Sequence, residues 1–526
     1  MPTTSAGAGV QTVTGNEDST GSSNTDPGAS SGSSGEAPVN LPPTIELFDV
    51  KEDHLDEAGP AELQLVVSAD VVKVQLSLDG VELANNLKPG DFPRDWDALS
   101  AKDNGDPRIF KVVVEDAEGL TATETTELSV QLPQPGIEKC LFEDKDANAS
   151  VITALKYTND AIIAGGSRDT GAGLRLTVWK LDPNNCDEVL PGWPKTIADW
   201  TTEPGLAAMM SLGTAVDVDA DGNIVVAGNF IVGGKPQSYV ALLNPDDGSQ
   251  LWAKVGQVGD EVAGVAAATA QFKNRVFVVG SQQTSDVPVR TDAAIWTYLT
   301  IDGAVSIGAS LILKAPFTPG EFDLDLNNKY SERVRAVVIQ PGTGHALAVG
   351  EREFWPKGND MYRRAFTVRV HALGGVVGVP WTSWAPSSVN DAVRSVALCG
   401  DDVLAGGWTR DQPADAKPQP MMFWIEDDGT SMKHRDEPQL GSTEINGIAC
   451  DREAKIISAA TRDTGTRDAR VFTVPGQNGP YTWYEAGAVG DDGAGAVACD
   501  GRGFCGWGGY RTINGKMVAV VRVFHP

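Results

Sequence analysis

A chain of 526 residues is too long for one ordinary core and fits a small domain, a large array and a tail. Its 42 basic against 71 acidic residues leave a formal charge of −29, which argues against nucleic acid and anionic membrane surfaces as partners, because both call for a basic face. With 58 Gly, 31 Pro and no apolar run near the ~20 residues that span a bilayer, the composition points to an all-β chain rich in turns.

Residues 1–40 are mostly Ser, Thr, Gly, Ala and acids, without an aromatic, Lys or Arg. Such a stretch cannot bury enough apolar surface to offset its ordering entropy, so it reads as a disordered linker. From Leu41 onward alternation takes over: Leu63, Leu65 and Val67; Val72, Val74, Leu76 and Leu78; Phe110, Val112 and Val114; Leu128 and Val130. Period-two spacing means strands with one buried face. With turns at Asp79-Gly80 and Glu118-Gly119, the span 41–133 reads as a small β-sandwich, and Phe92 and Trp96 as packing under a long loop.

Between Val151 and the C-terminus one unit recurs seven times: an apolar strand, a polar turn, a second strand ending in a small residue, a loop, and a third strand. Ala215–Gly228, continued by Tyr239–Leu243 and Asn244–Trp252, is the clearest copy. Aligning the residue that ends each second strand gives Gly165, Gly228, Gly280, Gly350, Gly406, Ala460 and Trp507. The third strands align at Leu176–Leu181, Tyr239–Leu243, Ala294–Tyr298, Phe366–Val370, Met422–Ile425, Arg470–Val474 and Met517–Val523. Units of this length made only of strands close radially, so 137–526 reads as a seven-bladed β-propeller. The last copy stops at Phe524-His525-Pro526, and Ile137–Phe142 belongs to no other unit. That segment is expected to supply the missing outer strand and leave no open edge.

Six cysteines, an even number, in a turn-rich chain read as the disulfides of an exported protein. Cys499 and Cys505 flank the turn Asp500–Gly503 and face each other across a hairpin. Cys140 on the closing strand and Cys186 in the first unit's outer turn would staple the ring, and Cys399 is left for Cys450 in the matching place of the next unit. Six free thiols in a cytoplasmic protein are the competing view. The histidines, at 54, 345, 371, 434 and 525, show no metal-type spacing.

Candidate binding residues cluster after the second strands: Arg168 with Asp169, Arg410 with Asp411, and Arg462 with Asp463. Adjacent Arg and Asp either bridge neighbouring units or meet a ligand. Trp355, Trp408 and Trp507 fall in the same loops and either offer flat faces to a sugar or roof the loops, whereas Trp179, Trp296 and Trp424 lie inside third strands and read as core. Asp217, Asp219 and Asp221, on alternate positions before Gly222, are the one weak calcium candidate against a plain Asp-Gly hairpin turn. Asp323, Asp325 and Asn327 are weaker, and no other cofactor is expected.

Several stretches resemble known families. Ala215–Trp252, and less closely Val393–Gly429, resemble the delta-60 repeats of bacterial propellers, a family that implies the fold and little about activity. Val112–Val130 resembles the last hairpin of bacterial Ig-like domains, which implies a spacer. Residues 1–40 resemble the spacer behind the lipidated cysteine of bacterial surface lipoproteins, although that cysteine is absent. Ser167–Gly171 resembles the Asp box of sialidases without its closing aromatic, and Asn244–Trp252 is similar to the Trp-docking repeat of quinone-dependent dehydrogenases but occurs once. The expectation is therefore an extracytoplasmic monomer, tethered or secreted, that binds a protein or glycan without catalysis through loops 167–173, 351–364, 407–420, 460–469 and 507–516. A glycan-cleaving or quinone-dependent enzyme, or a bare scaffold, is the alternative.

Overall fold

The computed structural model describes residues 41–51, 54–55, 60–97, 107–130, 138–158, 160–267, 275–286, 289–313, 330–340, 343–354, 362–371, 376–382, 389–400, 402–411, 417–425, 432–436, 442–451, 455–463, 467–475, 482–485, 491–500 and 504–525. The expected linker at 1–40, Ile137 and the 323–327 candidate lie outside them. Most of the described chain is strand, with two α-helices of four residues, Ile197–Trp200 and Pro204–Ala207, and one 3-10 turn at Pro89–Asp91.

The first unit is two sheets on one core. Ile45–Val50, Pro60–Val67 and Arg94–Asp97 form one; His54–Leu55, Thr121–Val130, Arg108–Asp116, Val71–Leu78 and Val81–Leu87 form the other. Alternate side chains from both, including Phe48, Leu63, Val74, Phe110 and Leu128, make a single apolar cluster, which is what the period of two demands. Asp79 and Gly80 both take positive φ, 48° and 80°, the geometry of the tight turn whose twist matches a hairpin. Phe92 packs against this core; the side chain of Trp96 lies outside the described residues.

From Glu138 on, the described residues form seven four-stranded antiparallel sheets. Sheet 1 runs Ala149–Tyr157, Ile162–Asp169, Arg175–Leu181 and Lys195–Thr196; sheet 2 runs Ser211–Val218, Ile224–Val232, Lys235–Leu243 and Gln250–Val258. Sheet 3 is Asp260–Ala267, Arg275–Asp286, Val289–Leu299 and Val305–Leu313, and sheet 4 is Tyr330–Ile339, Ala346–Phe354, Tyr362–Val370 and Val376–Thr382. Sheet 5 is Val389–Cys399, Asp402–Asp411, Gln419–Ile425 and Met432–Asp436, and sheet 6 is Thr443–Cys450, Lys455–Asp463, Arg467–Pro475 and Thr482–Glu485. Sheet 7 takes three strands from the C-terminus, Gly493–Cys499, Cys505–Ile513 and Lys516–Phe524, and its fourth from Glu138–Glu143. This last strand pairs antiparallel with Lys516–Phe524, Phe142 opposite Val521.

Seven apolar clusters join these sheets in a cycle. Each sheet packs on the next, and the seventh packs on the first through Phe142, Ala496, Phe504 and Val521 against Ile152, Leu155 and Trp179. First strands meet one another at the hub. Trp179 and Trp424 are buried, and Trp296 packs half-buried against the cluster between sheets 2 and 3, as their third-strand positions imply.

One local device repeats in all seven sheets. The first strand carries an extra residue, so the ladder shifts between Ile152 and Ala154, Gly213 and Ala215, Val262 and Gly264, Val334 and Ala336, Val393 and Ser395, Ile445 and Gly447, and Ala494 and Ala496. Opposite the shift stand Gly166, Gly228, Gly280, Gly350, Gly407, Ala460 and Gly509. At six of these a Cβ would fall onto a carbonyl oxygen that the bulge turns inward, such as that of Glu261 at Gly280. The expected alignment was therefore one residue early at Gly165 and Gly406, and two early at Trp507.

Cys140–Cys186, Cys399–Cys450 and Cys499–Cys505 are bonded, and no described cysteine is free. All three bridges sit at the ends of the sheets where first strands turn into second strands.

Candidate functional site

In these antiparallel sheets the second-to-third-strand hairpins share one rim of the ring and the first-to-second turns share the other. The loops nominated from sequence lie on the first rim. Trp355, the side chains of Asp411 and Asp463, and residues 356–361, 412–416 and 464–466 lie outside the described residues.

Arg168 is engaged rather than open. Its Nε and Nη2 donate to the Asp144 carboxylate at 2.8 and 3.1 Å, and Asp144 follows the closing strand, so the pair rivets sheet 1 to sheet 7. Asp169 Oδ1 accepts from Gly171 N at 2.7 Å and Gly173 N at 2.9 Å and so shapes its own loop. Trp408 and Trp507 correct the loop reading: both lie within second strands, which run on to Asp411 and Ile513, and they are 3% and 1% exposed. Neither indole can stack on a sugar. Arg462 stands opposite Thr443 at the rim end of sheet 6, and Arg410 is opposite Asn390 in sheet 5.

The three carboxylates before Gly222 do not converge. Asp217 Oδ1 lies 2.7 Å from Lys156 Nζ while its Oδ2 accepts from Ala267 N, linking sheets 1, 2 and 3. Asp219 accepts from Asp221 N and from Asn223 N and Nδ2, and so serves the turn. Among the described residues no three His, Cys, Asp or Glu gather to hold a metal ion.

What sequence reasoning missed is a charged junction between sheets 4 and 5. Arg335 and Arg394 are the extra residues of the two bulges, 17% and 27% exposed, and both reach Glu351, itself 1% exposed. Arg335 Nε donates to Glu351 Oε1 at 2.9 Å, with Nη2 on the same oxygen, and Arg394 Nη1 is 3.8 Å away. Burial works to raise the Glu351 carboxyl, but Arg335, Arg394 and Arg363 together hold it below its ordinary value. Toward the rim, Arg363 Nη2 lies 2.7 Å from Glu353, and its Cζ is 5.8 Å from the Trp408 ring. Arg410 Cζ is 5.2 Å from the same ring. The acids Asp391 and Glu444 stand nearby. On the other side of sheet 4 the buried Glu332 meets Arg352 Nε at 2.6 Å, and burial pushes its carboxyl up to about 7. Only the wording Glu351-Arg352-Glu353 hinted at this, because Arg335 and Arg394 come from strands 59 positions apart.

With this geometry in place, the comparisons bear on the repeat itself. Residues 220–250, which span the Gly222 turn and the second and third strands of sheet 2, match the family model described as a domain of unknown function (DUF5122) beta-propeller. The array is a β-propeller repeat domain. No curated protein matches the chain. Among solved structures the propeller chain is similar to a protein of unknown function from Dyadobacter fermentans, with a TM-score of 0.43 and 11% identity over 74% of this chain and 98% of that one. It is also similar to the extracellular domain of a putative one-component system of B. thetaiotaomicron, TM-score 0.39 and 10% identity, covering 74% of this chain and 40% of that one. The sialidase of Trypanosoma rangeli gives 0.38 and 14%, covering 59% and 53%.

In the propeller, the Trp-docking wording of sheet 2 has a local use. Trp252 Nε1 donates to Thr300 O of sheet 3 at 2.8 Å, fastening one outer strand to the next sheet's turn.

Proposed function

We propose that the chain is an exported, non-catalytic binding protein. In this reading a linker at 1–40, with a surface tether of the lipoprotein kind, leads into an Ig-like spacer at 41–133. A seven-bladed propeller at 137–526 then recognises a protein or glycan, as a monomer, through the second-to-third-strand rim. The observation that carries it is the asymmetry of the rims. Three disulfides fasten one, and the other gathers Arg363, Arg410 and the Arg-bearing ends of sheets 1 and 6. Disulfides also suit an oxidising compartment, and no helix among the described residues is long and apolar enough to cross a membrane.

A glycan array and a panel of extracellular matrix proteins, probed with the full chain, test the reading. A retained ligand should be lost in the rim variants Arg410→Gln and Arg462→Gln and kept in Asp402→Asn on the opposite rim. A ligand that is sensitive only to Asp402→Asn would overturn the assignment of the face.

A further inference from the structure

On the disulfide-bearing rim, sheet 4 ends in a group of side chains that the sequence scatters over 340–371. Gln340 and His345 flank the turn between first and second strands, with Gln340 N donating to His345 O at 2.8 Å. The ladder pair Ala346 and Val370 places His371 beside His345, their ring centroids 5.1 Å apart. Arg369 stands opposite Leu347, one ladder step inward. The sheet thus brings an amide, two imidazoles and a guanidinium to one corner.

Four polar atoms of this corner are buried with no hydrogen-bond partner among the described residues: His345 Nδ1, Gln340 Oε1, and Arg369 Nε and Nη2. Gln340 is 8% exposed. A half-buried guanidinium without a carboxylate is unfavourable, because the desolvation of its charge is offset by nothing. A half-turn of the Gln340 amide exchanges its O and N, so this group donates as readily as it accepts. The four positions therefore share one property: each can direct a hydrogen toward a common acceptor. A metal ion suits the imidazole pair alone and is opposed by the Arg369 charge. Burial, then the charges of His371 and Arg369, lower His345 from its ordinary value, which marks the corner as electropositive within a chain of charge −29.

We propose that this corner of sheet 4 binds a sulfate or phosphate group, held by Arg369 and Gln340 with His345 and His371 completing the donor set. A tetrahedral oxyanion presents several acceptor oxygens, enough for all four side chains, where a carboxylate presents two. The site lies on the rim opposite the proposed recognition face, and its failure would leave that reading untouched.

Isothermal calorimetry of the full chain with sodium sulfate, sodium phosphate and glucosamine 6-sulfate, chloride holding the ionic strength constant, tests it. The expected result is saturable binding at one site per chain, weakened about tenfold or more by Arg369→Gln and unchanged by Lys73→Gln on the surface of the first unit. Saturation should also move the His345 and His371 imidazole resonances and raise the lowered titration midpoint of His345, since an anion favours imidazolium. Ligand-free melting of each variant separates lost binding from lost folding, and His345→Asn, at the edge of the turn, serves as the second variant. Tighter binding of the sugar sulfate than of inorganic sulfate identifies a glycan-borne group, and equal binding identifies the free ion. No saturable binding of any of the three, or binding unaltered in both folded Arg369→Gln and His345→Asn, overturns the proposal.

Discussion

Glu332 and Glu351 show how two buried carboxyls in one sheet respond to opposite surroundings. Burial drives both upward, yet the three guanidiniums around Glu351 prevail, whereas Glu332, with Arg352 at 2.6 Å and Asp292 adding repulsion, is pushed from 4.5 to about 7. The consequences for stability have opposite signs. For Glu332 the folded chain holds a proton that the unfolded chain has released between pH 4.5 and about 7, so its contribution falls as pH rises through that window. Glu351 contributes stability that is lost as pH drops below its ordinary 4.5. His345, lowered from 6.5, adds a rise with pH that partly hides the first effect. Comparison with Glu332→Gln isolates it: urea denaturation from pH 4.5 to 7 should show the wild type losing up to about 3 kcal/mol relative to the variant. Parallel pH profiles would remove burial of Glu332 as the cause.

At the scale of the strand, the repeated bulge decides which positions accept a side chain. Gly280 faces the Glu261 carbonyl with no room for a Cβ, so Gly280→Ala should lower stability by about 1–3 kcal/mol as the ladder shifts to make space. Sheet 6 already carries a methyl at the equivalent Ala460, and Ala460→Gly should cost only the roughly 0.5–1 kcal/mol of backbone freedom. Fluorescence-detected urea unfolding reads both, and equal effects at the two sites would discard the steric account. The same bulge explains what could be seen in the sequence. Third strands and Asp-Gly turns follow from local alternation, and were legible. The register at Gly166, Gly407 and Gly509 was not, because the inserted residue lies on the first strand while the pattern is counted along the second, and because paired or clustered glycines offer several alignments. Trp408 and Trp507 were misread for the same reason, since strands taken to end at the glycine run on for several residues. The Arg335, Glu351 and Arg394 junction had no motif to announce it, as its members meet only when two bulges face each other.

For the whole molecule, closure concentrates on one short strand. Glu138–Glu143 is held to Lys516–Phe524 by its ladder, by Phe142 in the cluster that joins sheet 7 to sheet 1, and by the Cys140–Cys186 bridge. Chain-entropy reasoning assigns a bridge of sequence separation 46 about 4 kcal/mol, and truncating a buried Phe costs about 3–5 kcal/mol. If both act through the same latch they cannot be independent: once the strand has left, the second restraint has nothing left to hold. The variants Phe142→Ala and Cys140→Ser/Cys186→Ser, alone and combined, should therefore be less than additive, with a coupling of about 0.5–3 kcal/mol. Release of the strand also bares the edge of Lys516–Phe524, a row of unpaired backbone groups ready to template another chain. The combined variant should for that reason self-associate in light scattering while each single variant stays monodisperse. Additive costs together with a monodisperse combined variant would mean that the ring is held shut by the sheet faces alone, with the closing strand an ornament on an interface already complete.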